Sequence, residues 1–282
     1  MKEGRKLKSI DPMSIVGIHI MPSRNGASNQ FNATIDITET EKFIHEKRAQ
    51  GAKGLGIMHV ILAAYVRTTA SHPGINRFIR GQKIYARNGV EMCLTIKKKL
   101  ALNAPETVIK ISASPEDTID DVYQATTRLV EENKEESQEN GMDVVAKILA
   151  HMPRVILKSA VWLLRFFDYF GLLPRALVKV SPFHGSMFIT NVGSLGIDAI
   201  FHHLYDFGNL PLFIAMGKKR TEYKLNSDGT VQKLRLLDIT IVCDERICDG
   251  HYYASAFKVL KKYIENPSSL EGKPQKVVCD IK

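Results

Sequence analysis

At 282 residues, 44% hydrophobic and 24% charged, the chain has the length of one large domain and the composition of an ordinary globular protein. That excludes disordered, collagen-like and disulfide-framework classes, and residues 1–282 are expected to form a single domain. A net charge of +9 favours acidic partners, but the lysines and arginines are scattered and no basic strand is interleaved with aromatics, so no nucleic-acid partner is expected.

The N-terminus is charged and runs into Asp11 and Pro12 rather than an apolar stretch, unlike a secretory signal. Residues 31–37, FNATIDI, alternate in the manner of a strand and lead into an amphipathic helix that Thr38 or Thr40 is placed to cap. The apolar run from Ile57 to Ala70 predicts a buried helix stopped by Pro73. From Lys83 to Lys110 the pattern is that of antiparallel strands, with Asn88-Gly89 as a hairpin signal. Residues 114–140 read as a solvated helix with acidic first turns, running out into a polar turn.

The block 142–179 places Trp162, Phe166, Phe167, Tyr169 and Phe170 among basic residues. Its charge-free runs fall far short of the roughly 20 apolar residues that span a bilayer. Pro153 and Pro174 bracket a helix with Arg154, Lys158 and Arg165 near one face, the outline of an interfacial helix. Peripheral membrane contact through 153–173 is one expectation, and packing against the domain or a partner subunit is the other. Strands return at SMFITNV, PLFIAMGKKR and LLDITIVCDER, with a turn at Asp228-Gly229. A closing helix follows, with Ala254, Phe257, Val259, Leu260 and Ile264 available for its apolar face. The fold class is α/β, with a mixed, mainly antiparallel sheet packed by helices. Cys93, Cys243, Cys248 and Cys279 show no CxxC spacing, so neither zinc nor a disulfide framework is expected, and the setting is expected to be cytoplasmic.

Three segments, SMFITNVGSLGI at 186–197, PLFIAMGKKR at 211–220 and LDITIVCDERICDGHYYASAFKVLKKYIENP at 237–267, resemble the catalytic domain of the 2-oxo acid dehydrogenase dihydrolipoyl acyltransferases. The resemblance implies the two-layer chloramphenicol acetyltransferase-like fold and extends more weakly back to about residue 12. The block 142–179 looks like an amphipathic helical insertion relative to that family. The family's loop Asp-His-Arg-x-x-Asp-Gly falls on Asp244, Glu245, Arg246, Asp249 and Gly250, so Glu245 stands where the family has its histidine.

In the family that histidine takes a proton from a thiol, and a hydroxyl in a Thr-Ile-Ser-Asn segment stabilises the oxyanion. Thr190 in FITN keeps the hydroxyl. The resemblance also implies that Asp249 holds the loop through an arginine, with Arg24 as candidate, that Arg246 and Gly250 shape the loop, and that coenzyme A or its thioester is the substrate. It implies a homotrimer or an assembly of trimers with active sites between subunits. No metal and no lipoyl attachment are expected in this chain.

Reference values near 4.3 for Glu and 6.5 for His make deprotonation of a thiol by glutamate about 3 kcal/mol more uphill, or about 100-fold. Two functions follow. One is a coenzyme A-dependent acyltransferase with Glu245 as base. The other is a catalytically inactive homologue that keeps the fold for ligand binding, scaffolding or membrane association. Other histidines, His184, His202, His203 and His251, lie near the motif segments, and Asp206 invites a His-Asp reading, but no nucleophile elbow accompanies it.

Overall fold

The computed structural model describes residues 3–97, 106–133 and 141–282. In chain order the elements are β1 (Gly4–Lys6), α1 (Pro12–Ile20), β2 (Ser28–Asp36), α2 (Thr38–Ala49), α3 (Ile57–Ser71), β3 (Arg77–Arg80), β4 (Lys83–Arg87), β5 (Val90–Lys97) and β6 (Glu106–Ala113). They continue with α4 (Ile119–Glu132), α5 (Gly141–Ala150), α6 (Arg154–Phe170), α7 (Arg175–Val180), β7 (Met187–Asn191), β8 (Leu212–Leu225), β9 (Val231–Asp244) and α8 (Gly250–Glu265).

Six strands form the main sheet in the order β2-β9-β8-β7-β5-β6, and β1-β4-β3 form a smaller one. In the main sheet β7 pairs in parallel with β5 and β8, and the remaining pairings are antiparallel. β7 is buried on both faces, as its apolar sequence Met-Phe-Ile requires. Side-chain alternation then divides the sheet. Met187, Ile189, Ile214, Ile239 and Ile241 face the principal core with α3 and α8, while Phe188, Phe213, Val242 and Cys93 face a second cluster with Leu204 and Leu210.

α3 is the central helix, buried over nearly its whole length and lying against α2, α4 and α8. It ends at His72, before Pro73. α4 starts with a reciprocal Thr118–Asp121 capping box. Its expected polar continuation at 134–140 lies outside the described residues.

Three expectations are corrected. Asn88-Gly89 is not a hairpin, because β4 stays in the small sheet while β5 enters the large one; the hairpin is β3–β4, turned by Gly81-Gln82, both at positive φ. Neither threonine caps α2; Asp36 accepts from the Thr38 amide at 2.9 Å, and Thr40 donates to Ile264 O at 2.6 Å. On α8 Leu260 and Ile264 are buried as expected, but Tyr253 and Ala256, at steps of three and four along the same face, complete it in place of the exposed Ala254 and the half-buried Val259. The helix expected between Pro153 and Pro174 is α6, and the block 142–179 carries α5 and α7 beside it.

Candidate active site

The loop after β9 is organised around a buried carboxylate. Asp244 is fully buried and accepts from Arg246 Nε at 2.8 Å and Nη2 at 2.7 Å, a bidentate pair that closes the loop on itself. Arg24 approaches the same carboxylate, Nε to Oδ2 at 3.5 Å, and donates its terminal nitrogens to Tyr205 O and Gly208 O. Arg246 Nη1 donates to Met21 O, and Tyr253 Oη donates to Asp244 O at 2.8 Å. Burial pulls the Arg24 guanidinium below its ordinary value, opposed chiefly by the charge of Asp244.

This differs from the expected pairing of Arg24 with Asp249. Asp249 is exposed and serves as the N-cap of α8, accepting from Tyr252 N at 2.8 Å. Gly250 opens that helix, and a Cβ there meets open space, so the turn does not need glycine's conformational freedom. Asp244 is the anchor that motif matching left without a role. Its signal was its place at the buried end of an apolar strand, where a carboxylate requires a cation.

Glu245 is half-buried beside this cluster. Its amide donates to Ala27 O at 2.9 Å, extending the β2–β9 register, and its carboxylate accepts from Asn29 Nδ2 at 2.7 Å. Cys243, one position back, is buried, and burial raises its thiol far above the usual range, which leaves it inert as a nucleophile.

Thr190 lies near the end of β7, half-buried, followed by the tight turn Val192–Leu195 that Asn191 caps through Ser194 N. Gly193 is required there, since a Cβ would come within 2.1 Å of Gly217 O on β8. Within one chain Thr190 and Glu245 are not neighbours. Thr190 pairs with Ala215 and Ala215 with Thr240, so Glu245 stands five residues further along β9 and two strands across. At strand spacings that is about 16 Å along and about 10 Å sideways.

The other histidines divide clearly. His184 is buried, with Nε2 3.0 Å from Asp168 Oδ1 and Nδ1 2.8 Å from Ser181 Oγ. His202 stacks on Phe213, His203 packs edge-on to Tyr205, and His251 is exposed on α8. Asp206 accepts from Asn25 N and has no histidine contact of its own in this arrangement. Among the described residues no three His, Cys, Asp or Glu side chains converge to hold a metal ion.

Residues 177–271 match the model of the 2-oxoacid dehydrogenases acyltransferase (catalytic domain) family, a span that contains all three motif segments. No curated protein matches the chain. Among solved structures, a probable dihydrolipoamide acetyltransferase from Listeria monocytogenes 4b F2365 superposes with a TM-score of 0.57 at 12% identity, over 93% of this chain and 95% of that one. The cubic core of a pyruvate dehydrogenase multienzyme complex gives 0.55 at 14% identity, over 94% of each chain. A chloramphenicol acetyltransferase gives 0.52 at 12% identity, over 92% of this chain and 99% of that one. At such identities the structural likeness is one of fold, and the motif segments carry the rest: the chain has the chloramphenicol acetyltransferase-like fold, with a segment that matches the catalytic domain of the 2-oxoacid dehydrogenase acyltransferases.

Proposed function

We propose that the chain is an acyltransferase moving an acyl group between coenzyme A and an acceptor, with Glu245 as general base. Glu245 takes the proton of the attacking thiol, the sulfur adds to the thioester carbonyl, and Thr190 donates to the resulting oxyanion. Collapse then expels the leaving thiolate, which recovers the proton. The observation that carries this reading is the Arg24–Asp244–Arg246 cluster, which fixes the loop so that Glu245 leaves the end of β9 in one orientation. A catalytic group needs such a rigid support.

The separation of Thr190 from Glu245 supports a site shared between two copies of the chain, and hence a homotrimer or an assembly of trimers. The exposed apolar residues of α1, Met13 and Ile20, each 72% exposed, offer surface for that association. A second reading, a catalytically inactive homologue, draws on the Asn29 hydrogen bond that engages the Glu245 carboxylate. On either reading the outward aromatic face of α6 is proposed to rest on an anionic membrane surface.

The test is acyl-coenzyme A consumption by the purified protein with thiol, amine and hydroxyl acceptors, alongside Glu245→Gln and Glu245→His. Loss of about 100-fold or more in the Gln variant is expected. Turnover equal in native and Gln proteins removes Glu245 from the mechanism. An inactive native protein, with thiol acylation gained in the His variant, establishes the second reading.

A further inference from the structure

A cavity of about 460 Å³ opens between the ends of β3 and β4, the start of β5, the α6–α7 turn and α7. Four cations line it, Arg80, Arg87, Arg175 and Lys179, against two lining carboxylates, Glu3 and Glu91, and a third, Asp168, stands 3.9 Å from Arg80 Nε behind the wall, which leaves an excess of one positive charge. Glu91 is moreover approached by Lys110, whose Nζ is 3.9 Å from its Oε2.

The arginines are incompletely partnered. The Arg87 side chain is 2% exposed, donates from Nη2 to Asn209 Oδ1 at 3.0 Å, and leaves Nε and Nη1 without an acceptor. Its guanidinium lies 4.4 Å from the centre of the Phe78 ring, with that of Arg80 5.3 Å from the same centre, so one aromatic ring holds two cations. Arg80 Nε makes no hydrogen bond either, its nearest carboxylate oxygen being Asp168 Oδ1 at 3.9 Å. Burial pulls Arg87 below its ordinary value, against the charges of Glu3 and Glu91. Buried guanidinium N–H groups without acceptors are costly, and proteins retain them where a ligand completes them.

The Glu3 carboxylate shows what fits. It hydrogen-bonds Arg80 and Asn209, and its Oε1 stands 3.7 Å from Arg87 Nη1. One carboxylate supplies two oxygens and one charge, whereas the unmet donors, and the two positive charges that remain once Glu3 is moved aside, call for a dianion with at least three oxygens. A phosphoryl group has that charge and shape, and arginine pairs are suited to it.

We propose that this cavity binds a phosphorylated small molecule, its phosphoryl group on Arg80 and Arg87, with Arg175 and Lys179 closing from α7. The volume left beyond the phosphoryl group takes the organic part. Glu3 then acts as an internal competitor that the ligand displaces.

Calorimetric titration of the full chain with inorganic phosphate and pyrophosphate tests this without relying on acyl transfer. Saturable binding is expected. The Arg175→Ala/Lys179→Ala double variant, which alters only exposed positions, is expected to bind about tenfold more weakly or worse, and Glu3→Gln more tightly. Lys224→Ala/Lys233→Ala, an equal charge change on the β8–β9 hairpin, is expected to bind as the native chain does. Displacement of pyrophosphate by coenzyme A would make the ligand the acyl carrier's own phosphates; failure to displace would make it a separate phosphorylated compound. Absence of saturable binding, native affinity in the α7 variant, or equal weakening by the hairpin control overturns the proposal.

Discussion

Asp244 decides how the loop is held. Two guanidinium groups converge on it with almost no solvent, so Asp244→Asn leaves Arg24 and Arg246 buried without their counter-charge. The expected loss is about 3–5 kcal/mol of folding stability, read from the denaturant midpoint, because breaking a buried pair on one side strands the other charge. Asp249→Ala removes only a helix cap and should cost about 1 kcal/mol. Equal losses would mean that Asp244 is not the principal anchor of the loop. The motif spacing made the carboxylates, Glu245 and Thr190 visible in the sequence. It did not show which aspartate meets Arg24, since that depends on how a residue more than 200 positions away is delivered to the loop.

At the scale of the helix, α6 is held from within and open outward. Asp168 faces inward, accepting from His184 Nε2 and from Gly208 N at 3.1 Å. Burial pushes its carboxyl up, but the hydrogen bond and charge of His184, with Arg80 and Arg24, outweigh that and leave it below its ordinary value. A carboxyl lowered in the fold contributes stability that is present above its unfolded value, about 3.9, and is lost as pH falls through the folded one. The docking of α6 should therefore hold at neutral and mildly acidic pH and loosen only below about pH 4. Trp162, the sole tryptophan, reports on this: its fluorescence anisotropy should drop in that acid range, and Asp168→Asn should remove the acid limb. An anisotropy that is flat through pH 3, or an unchanged limb in the variant, would show that the Asp168–His184 contact does not hold the helix.

The outer face of the same helix carries Val155, Trp162, Phe166 and Phe170, with Val155 78% and Trp162 65% exposed. Arg154, Lys158 and Arg165 run along one edge, all exposed. The stripe is about 25 Å long and carries no exposed acid, which suits an anionic lipid surface and disfavours pairing with a second copy of the same basic edge. No described helix is long and apolar enough to cross a membrane. Sedimentation with phosphatidylglycerol vesicles is expected, with a blue shift of Trp162. Replacing the three basic residues by alanine should weaken it about 100-fold. Equal binding to phosphatidylcholine, or none at low salt, would reject the contact. Aromatics at helical spacing and flanking prolines made this helix legible. Its inner hold was not, because Asp168 and His184 are joined only when the chain folds back between α6 and β7. The hairpin was misplaced for a similar reason: Asn88-Gly89 has the favoured residues, while the strand pairing put the turn at Gly81-Gln82.

For the whole molecule the telling feature is the distance between Thr190 and Glu245. No side-chain rearrangement closes about 16 Å along a buried sheet, so the proposed base and oxyanion donor would work together only across subunits. Glu245→Gln and Thr190→Val should each be inactive alone, by about 100-fold or more. When the two variants are unfolded together and refolded into mixed assemblies of the proposed kind, each site draws its base from one copy and its hydroxyl from the next. With random mixing in equal amounts, each requirement is met half the time, and about a quarter of native activity should return. Restored activity would also fix which surfaces meet, since the end of β7 in one copy must face the loop after β9 in another. No recovery from variants that refold to native size would place the two residues in separate roles and leave Thr190 outside the reaction.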